Sequence, residues 1–298
     1  MSITIHHLRT GDGSHWAVRR DGAWAVLDHT LAGLLALPLD PARAVVDAAA
    51  GRARGDRPGD RALPPVDRQE VWAAGVTYRR SRDGRKEESA GHGALYDQVY
   101  DSDRPELFFK SSPWRVIGDG DAVGIRADSG WDVPEAEVGL VLTAAGDIFG
   151  YTLANDMSSR SIEGENPLYL PQAKIYDRSC AVGPAIVPAW TLGPGPFPIG
   201  LRVLREGREV YSGTTSTAEM ARTFEDLAGW LFQALTFPSG ALLLTGTGVV
   251  PDAGFTAHPG DTVEITSPAL GTLTNPVVAV GVRPPRVAGP GGSARPGS

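Results

Sequence analysis

Cysteine is all but missing: Cys180 stands alone among 298 residues, so no disulfide can form within the chain. A chain this poor in cysteine suits a reducing compartment. Positive charge is also short, with 28 basic residues against 35 acidic ones and a net charge of -7. Nucleic acid and anionic membrane surfaces both reward basic patches, so neither is expected as a partner. No stretch approaches the roughly 18 consecutive apolar residues of a membrane-spanning helix. The opening "MSITIHHLRTGDG" carries no charged region followed by an apolar one, so no secretory signal is expected and cytoplasm is the expected location. Internal repeats are absent as well.

What is present is the composition of an ordinary soluble globular protein, 42% hydrophobic and 21% charged. The length allows one large domain, or a small one beside a large one. Residues 1–65 read as a small N-terminal unit and linker. Within it "SITIHHL" and "WAVRRDGAWAVLD" alternate like strands, with Asp21-Gly22 as a hairpin turn. "DPARAVVDAAAG" reads as a helix, with Asp40 as N-cap, Pro41 at the first helical position and Gly51 just past the end. The Gly-, Pro- and charge-rich stretch 51–65 reads as a linker.

Residues 66–282 read as the main domain. Its apolar runs are short and strand-like: "EVWAAGVTY", "PELFFK", "EVGLVL", "IFGYTLAN", "ALLLTG" and "DTVEITS". One long helix is expected over "STAEMARTFEDLAGWLFQALTF". There Ser216 and Glu219 form a capping box, and Met220, Phe224, Leu227, Leu231 and Leu235 trace an apolar stripe that packs into the core. The Pro/Gly-rich segment 184–200 is expected to be an irregular loop, and the tail 283–298 has too little to bury to be ordered.

The stretch "WDVPEAEVGLVL" sets Glu135 and Glu137 two residues apart at the mouth of a strand, hence on one face. A turn, "TAAGD", leads into a second strand that closes on Asp156. Two strands joined this tightly pair as a hairpin, which lays the start of one beside the end of the other and lets three carboxylates converge. Such a cluster repels itself and is costly to desolvate, so a cation is its natural complement. With oxygen ligands only, the ion is a hard one: Mg²⁺, with Mn²⁺ or Ca²⁺ as alternatives. The other reading of an E-x-E string is a solvated strand face.

Linked motifs in the order "EAEVGLVL", "GDIFGYTLANDMSSR", "AKIYDRSCAVGPAIV", "LLLTGTGVV" and "HPGDTVEITSPALGTLTNPV" resemble the fumarylacetoacetate hydrolase superfamily over about residues 70–282. The resemblance implies an α+β, mainly β protein: a mixed β-roll or sandwich catalytic domain behind a small N-terminal α/β domain. It also implies a homodimer or homotetramer and a small-molecule 2-keto acid substrate. The divalent metal falls to Glu135, Glu137 and Asp156. Lys174, in "QAKIYD", matches a lysine that faces the active site; read without the motif, it is a surface lysine. Thr247 resembles the threonine of a T-G-T-P turn that contacts the substrate carboxylate, although Gly248 stands where the proline usually does. Arg160 is either a pocket residue or a structural partner for a carboxylate. Tyr78 and Ser81 are carried over as substrate-binding residues.

The carbon–carbon hydrolases of the superfamily open with a motif like G-x-N-Y-x-x-H-x-x-E, whose His and Glu activate water. Here "GVTYRRSRDG" places Thr77, Ser81 and Gly84 where Asn, His and Glu would stand. His92 is a substitute only if its Gly-flanked loop brings it back. Glu106, in "RPELFFK", occupies a slot that is usually apolar. It either pairs with Lys110 on the same strand face or supplies the missing acid/base group. These departures are most similar to the sugar-acid dehydratases of the superfamily, which turn 2-keto-3-deoxy-D-arabinonate into 2,5-dioxopentanoate in pentose breakdown. Dehydration needs no attacking water, so it tolerates the lost dyad, with Glu106 and Lys174 sharing the proton transfers. The competing readings are a hydrolase of acylpyruvates or 2,4-diketo-3-deoxy sugar acids, and a non-catalytic keto-acid binder.

Overall fold

The computed structural model describes residues 2–79 and 99–281; Ser81, Gly84, His92 and the tail 283–298 lie outside the described residues. The chain opens with β1 (Ile3–Thr10), β2 (Gly13–Arg20) and β3 (Ala23–Leu27), an antiparallel meander. Asp21 and Gly22 join β2 to β3 with φ of 48° and 94°, the paired left-handed conformation a two-residue hairpin turn demands. Helix α1 (Leu31–Leu35) starts on Thr30, whose hydroxyl accepts from the Gly33 N–H at 3.1 Å.

Helix α2 runs from Leu39 to Arg52, longer at both ends than its punctuation indicates. Pro38, not Asp40, is the N-cap, and Gly51 lies inside the last turn. Pro41 is tolerated within the first turn because the N–H groups there have no intrahelical acceptor anyway. Burial of Ala42, Val46, Ala49 and Ala50 carries the helix past the expected stop. The segment read as a linker contains a strand, β4 (Arg61–Leu63), which pairs with β1 at His7, Leu8 and Arg9.

The strands that follow are β5 (Glu70–Gly75), β6 (Glu106–Ser111), β7 (Val123–Arg126), β8 (Asp132–Val133), β9 (Ala136–Leu142), β10 (Ile148–Asp156), β11 (Ser158–Ser159), β12 (Cys180–Pro188), β13 (Pro198–Arg205), β14 (Arg208–Ser216), β15 (Ala241–Leu244), β16 (Thr262–Ser267) and β17 (Gly271–Val280). Helices α3 (Arg160–Glu165), α4 (Leu170–Lys174), α5 (Ala189–Leu192) and α6 (Phe224–Phe232) connect them. A ten-stranded sheet has the order β3-β2-β1-β12-β10-β9-β15-β5-β6, with β4 beside β1. A five-stranded sheet has the order β14-β13-β16-β17-β7. Each is mostly antiparallel with one parallel pair, β15 with β5 and β17 with β7, as a mixed α+β roll requires. The N-terminal meander joins the large sheet where Ile5 pairs with Ile186.

Strand β9 lies between two cores. Val138, Leu140 and Leu142 face the five-stranded sheet and α6, packing in one cluster with Leu201, Ile265, Leu227 and Leu231. Val141, on the other face, packs with Leu34, Leu35, Val46 and Leu242 under α1 and α2. Burial on both faces is why its sequence is a continuous apolar run instead of an alternating one.

Two further expectations fail. The long helix over 216–237 is two pieces: Ser216 caps a single 3-10 turn, Thr217–Glu219, and α6 begins only at Phe224, capped by Thr223. Between them Met220 bridges to Tyr78 and the Ala221 N–H donates to the Thr77 carbonyl, which pulls the chain out of helical geometry. Leu235, expected on the buried stripe, is exposed. The segment 184–200 is not a loop throughout, because β12 continues to Pro188 and β13 starts at Pro198. Pro184 fits inside β12 because the register against β10 is interrupted there.

Candidate active site

The β9–β10 hairpin does what the acid spacing predicts. Ala154 lies opposite Glu137, Asn155 opposite Ala136, and the Asp156 N–H donates to the Glu135 carbonyl at 3.0 Å. Glu135, Glu137 and Asp156 each offer one carboxylate oxygen, all within 4.8 Å of one another, and all three residues are buried. They do not lie on a solvated face.

Cations and an N–H group answer the acids. Lys174, at the end of α4, donates from Nζ to Glu135 Oε2 at 2.8 Å, Asp156 Oδ2 at 3.1 Å and Ser158 Oγ at 2.6 Å. The surface-lysine reading is therefore wrong, since only 1% of this side chain is accessible. Lys110 pairs with Asp156 Oδ1 and donates to the carbonyls of Met157 at 3.0 Å and Lys174 at 2.6 Å. Arg160 donates from Nη2 to Glu135 Oε1 at 2.8 Å and faces Glu163 at 3.6 Å. Glu137 accepts the Gly246 N–H at 2.6 Å.

Among the described residues, the buried carboxylates Glu135, Glu137, Asp156 and Glu163 thus face the buried cations Lys110, Lys174 and Arg160. Burial, then the charges of Asp156 and Glu135, push the Glu137 carboxyl well above its ordinary range. The triad offers an ion carboxylate oxygens within 4.8 Å of one another, a donor set that fits a hard divalent cation.

A narrow pocket reaches this cluster, lined by Gly75, Val76, Phe108, Gly246 and Thr247 beside the charged groups. Glu106 lies beside one of these lining residues. It pairs in register with Gly75, and a Cβ on Gly75 would stand 2.1 Å from Glu106 Oε2, so the carboxylate crosses a bare Cα. Among the described residues the alternative reading, a Glu106–Lys110 pair, is not made: Lys110 turns inward to Asp156. Thr247 is tied to Val249 through both its hydroxyl donor and acceptor, at 3.2 and 3.1 Å. A side chain at Gly248 would strike Thr215 Oγ1 at 2.2 Å and the Tyr78 ring at 2.7 Å, which accounts for a glycine in this turn. Tyr78 is buried, and burial raises its hydroxyl pKa above the ordinary value.

Lys110, Ser158, Glu163 and the Gly246 N–H were missed as members of the site. Two of them carried a signal: Ser158 stands in the "GDIFGYTLANDMSSR" stretch two residues after Asp156, and Glu163 follows Arg160 by one helical turn.

A family model described as fumarylacetoacetate (FAA) hydrolase C-terminal matches residues 70–278. The chain is 50% identical over 220 residues to a probable 2-keto-3-deoxyxylonate dehydratase of Haloferax volcanii, covering 74% of this chain and 75% of that protein. It is 42% identical over 221 residues to the 2-dehydro-3-deoxy-D-arabinonate dehydratase of Saccharolobus solfataricus, covering 73% and 74% respectively. Among solved structures it resembles 2-keto-3-deoxy-D-arabinonate dehydratase complexed with magnesium and 2,5-dioxopentanoate. That match has a TM-score of 0.79 at 33% identity over 93% of this chain and 99% of the other.

Proposed function

The chain belongs to the fumarylacetoacetate hydrolase family, and from that premise we propose that it is a magnesium-dependent dehydratase of 2-keto-3-deoxy sugar acids. The reaction is loss of water from 2-keto-3-deoxy-D-arabinonate to give 2,5-dioxopentanoate. The observation that carries this is the agreement of two relatives, at 42% and 50% identity over about three quarters of their length, on one reaction class. The buried acid triad supports it by offering the magnesium a site.

Glu135, Glu137 and Asp156 would hold the ion, which when bound supplies Lewis-acid polarisation of the 2-keto group and so acidifies C3–H. The rest falls to side chains. Glu106, whose carboxylate lies against the pocket-lining Gly75, takes the proton from C3. Lys174 is an ammonium held by three oxygen acceptors and aimed at the cluster; it hands a proton to the C4 hydroxyl, which leaves as water. The double bond then migrates to C4–C5 as C5 loses a proton and C3 regains one, and the resulting enol becomes the C5 aldehyde. Thr247 and Tyr78 line the approach of the substrate. Arg160 acts chiefly by holding Glu135.

A substrate panel run with and without chelator tests the reading. The expected result is magnesium-dependent turnover of 2-keto-3-deoxy acids, with Glu106→Gln lowering kcat about a hundredfold while leaving magnesium binding intact. Cleavage of acylpyruvates with no action on 2-keto-3-deoxy-D-arabinonate would replace the dehydratase by the hydrolase. Among the described residues no helix is long and apolar enough to cross a membrane. Cytoplasm is the location the lone cysteine favours. Pairing into a homodimer or homotetramer completes the proposal, and a light-scattering mass of one chain would remove that part of it.

A further inference from the structure

The peptide unit between Thr245 and Gly246 is hydrogen-bonded on both sides. Its N–H, from Gly246, donates to Glu137 Oε2 at 2.6 Å. Its carbonyl, from Thr245, accepts the Thr77 hydroxyl at 2.6 Å. Because a peptide unit is planar, whatever orients the carbonyl also aims the N–H. The approach is possible only at glycine. Gly246 has φ of +88°, and a Cβ there would stand 2.1 Å from Thr77 Oγ1 and 3.0 Å from the Ala74 carbonyl. Thr77 is itself held, since its carbonyl accepts the Ala221 N–H at 2.9 Å and it is 1% exposed.

We infer that Thr77 is a positioning residue for Glu137, acting through the Thr245–Gly246 peptide. Its hydroxyl fixes that peptide so that the N–H caps the Glu137 carboxylate. Hydrogen bonds in series also polarise one another, so the same contact strengthens the cap. Groups that orient a metal-binding side chain from behind set its affinity without touching the ion, and losing one typically costs about 10–100-fold. The inference rests on Glu137 being a magnesium ligand. The competing role for Thr77 is purely structural, a tie between the end of β5 and the end of β15. That role would appear in stability alone.

Calorimetric titration of Mg²⁺ into metal-stripped protein separates these possibilities. Thr77→Val keeps the shape and removes the donor; it is expected to weaken Mg²⁺ binding about tenfold or more, and Thr77→Ser to restore it. Wild-type affinity in Thr77→Val, whatever its melting temperature, overturns the inference. If the valine variant does not fold, Thr77→Ala against Thr77→Ser reads the same hydroxyl, and equal affinities overturn it again. A wild-type protein that takes up no Mg²⁺ overturns the metal reading itself, and this proposal with it.

Discussion

The two ends of the β9–β10 hairpin are buried to the same depth and built from opposite chemistry. Toward the turn stand Leu140, Leu142 and Phe149, with no accessible surface. At the other end stand Glu135, Glu137 and Asp156, at 4%, 1% and 1%. Taking a leucine out of water stabilises the fold by about 1.5–3 kcal/mol and asks nothing of the solution. Taking a carboxylate out of water costs several kcal/mol, returned only by cations and donors in good geometry. Equal burial therefore means unequal things. The apolar end holds under any ionic condition, while the acidic end is stable only as far as cations such as Lys110, Lys174 and Arg160, hydrogen-bond donors such as the Gly246 N–H, and a bound ion make it so.

The largest expected effect breaks the acidic end. Lys174→Met strips Glu135 and Asp156 of their shared ammonium and should cost the metal-free protein about 4 kcal/mol, along with most of the activity. Saturating Mg²⁺ should return much of that stability, because a ligand that binds only the folded state stabilises it by mass action. At the apolar end Leu140→Ala should cost about 3 kcal/mol, and denaturant unfolding should give the same loss with and without Mg²⁺. Equal magnesium dependence in the two variants would erase the distinction between the ends.

The acidic end was also the more legible in sequence, because its geometry is local. One turn joins the strands that carry Glu135, Glu137 and Asp156, so spacing alone brings them together. Lys110, Thr77 and Gly246 belong to β6, to the residues after β5 and to the residues after β15. Those pairings close across as many as 168 residues and leave no trace in local periodicity. Alternation along β6 points Glu106 and Lys110 to one face, yet the register against β5 slips at Lys110, and its partner is Asp156 on β10, four strands further along the chain. Helix ends failed for a related reason. The capping signals at Asp40 and Ser216 were outweighed by core burial along α2 and by the ties of Met220 and Ala221 to Tyr78 and Thr77. Local chemistry proposes an end, and tertiary packing moves it.

A smaller effect sharpens the comparison, because one further acid beside the cluster is buried without the cations. Asp132, on β8, is 2% exposed, and among the described residues no lysine or arginine makes an ion pair with it. Burial pushes its carboxyl up to about 6 from 3.8, against the lowering by Ser129 and Arg126. Between these values the folded state keeps a proton that the unfolded chain has released. Stability from this group is therefore greatest below pH 3.8 and is lost as pH rises through about 6. Asp132→Asn removes the ionisation and should raise stability at pH 7 by about 2 kcal/mol, while changing little at pH 4. Thermal melts of both proteins across that range check the sign. A variant equally stable at pH 4 and pH 7 relative to wild type would mean that Asp132 already has its compensation, and that lysines and a metal are not what sets the triad apart.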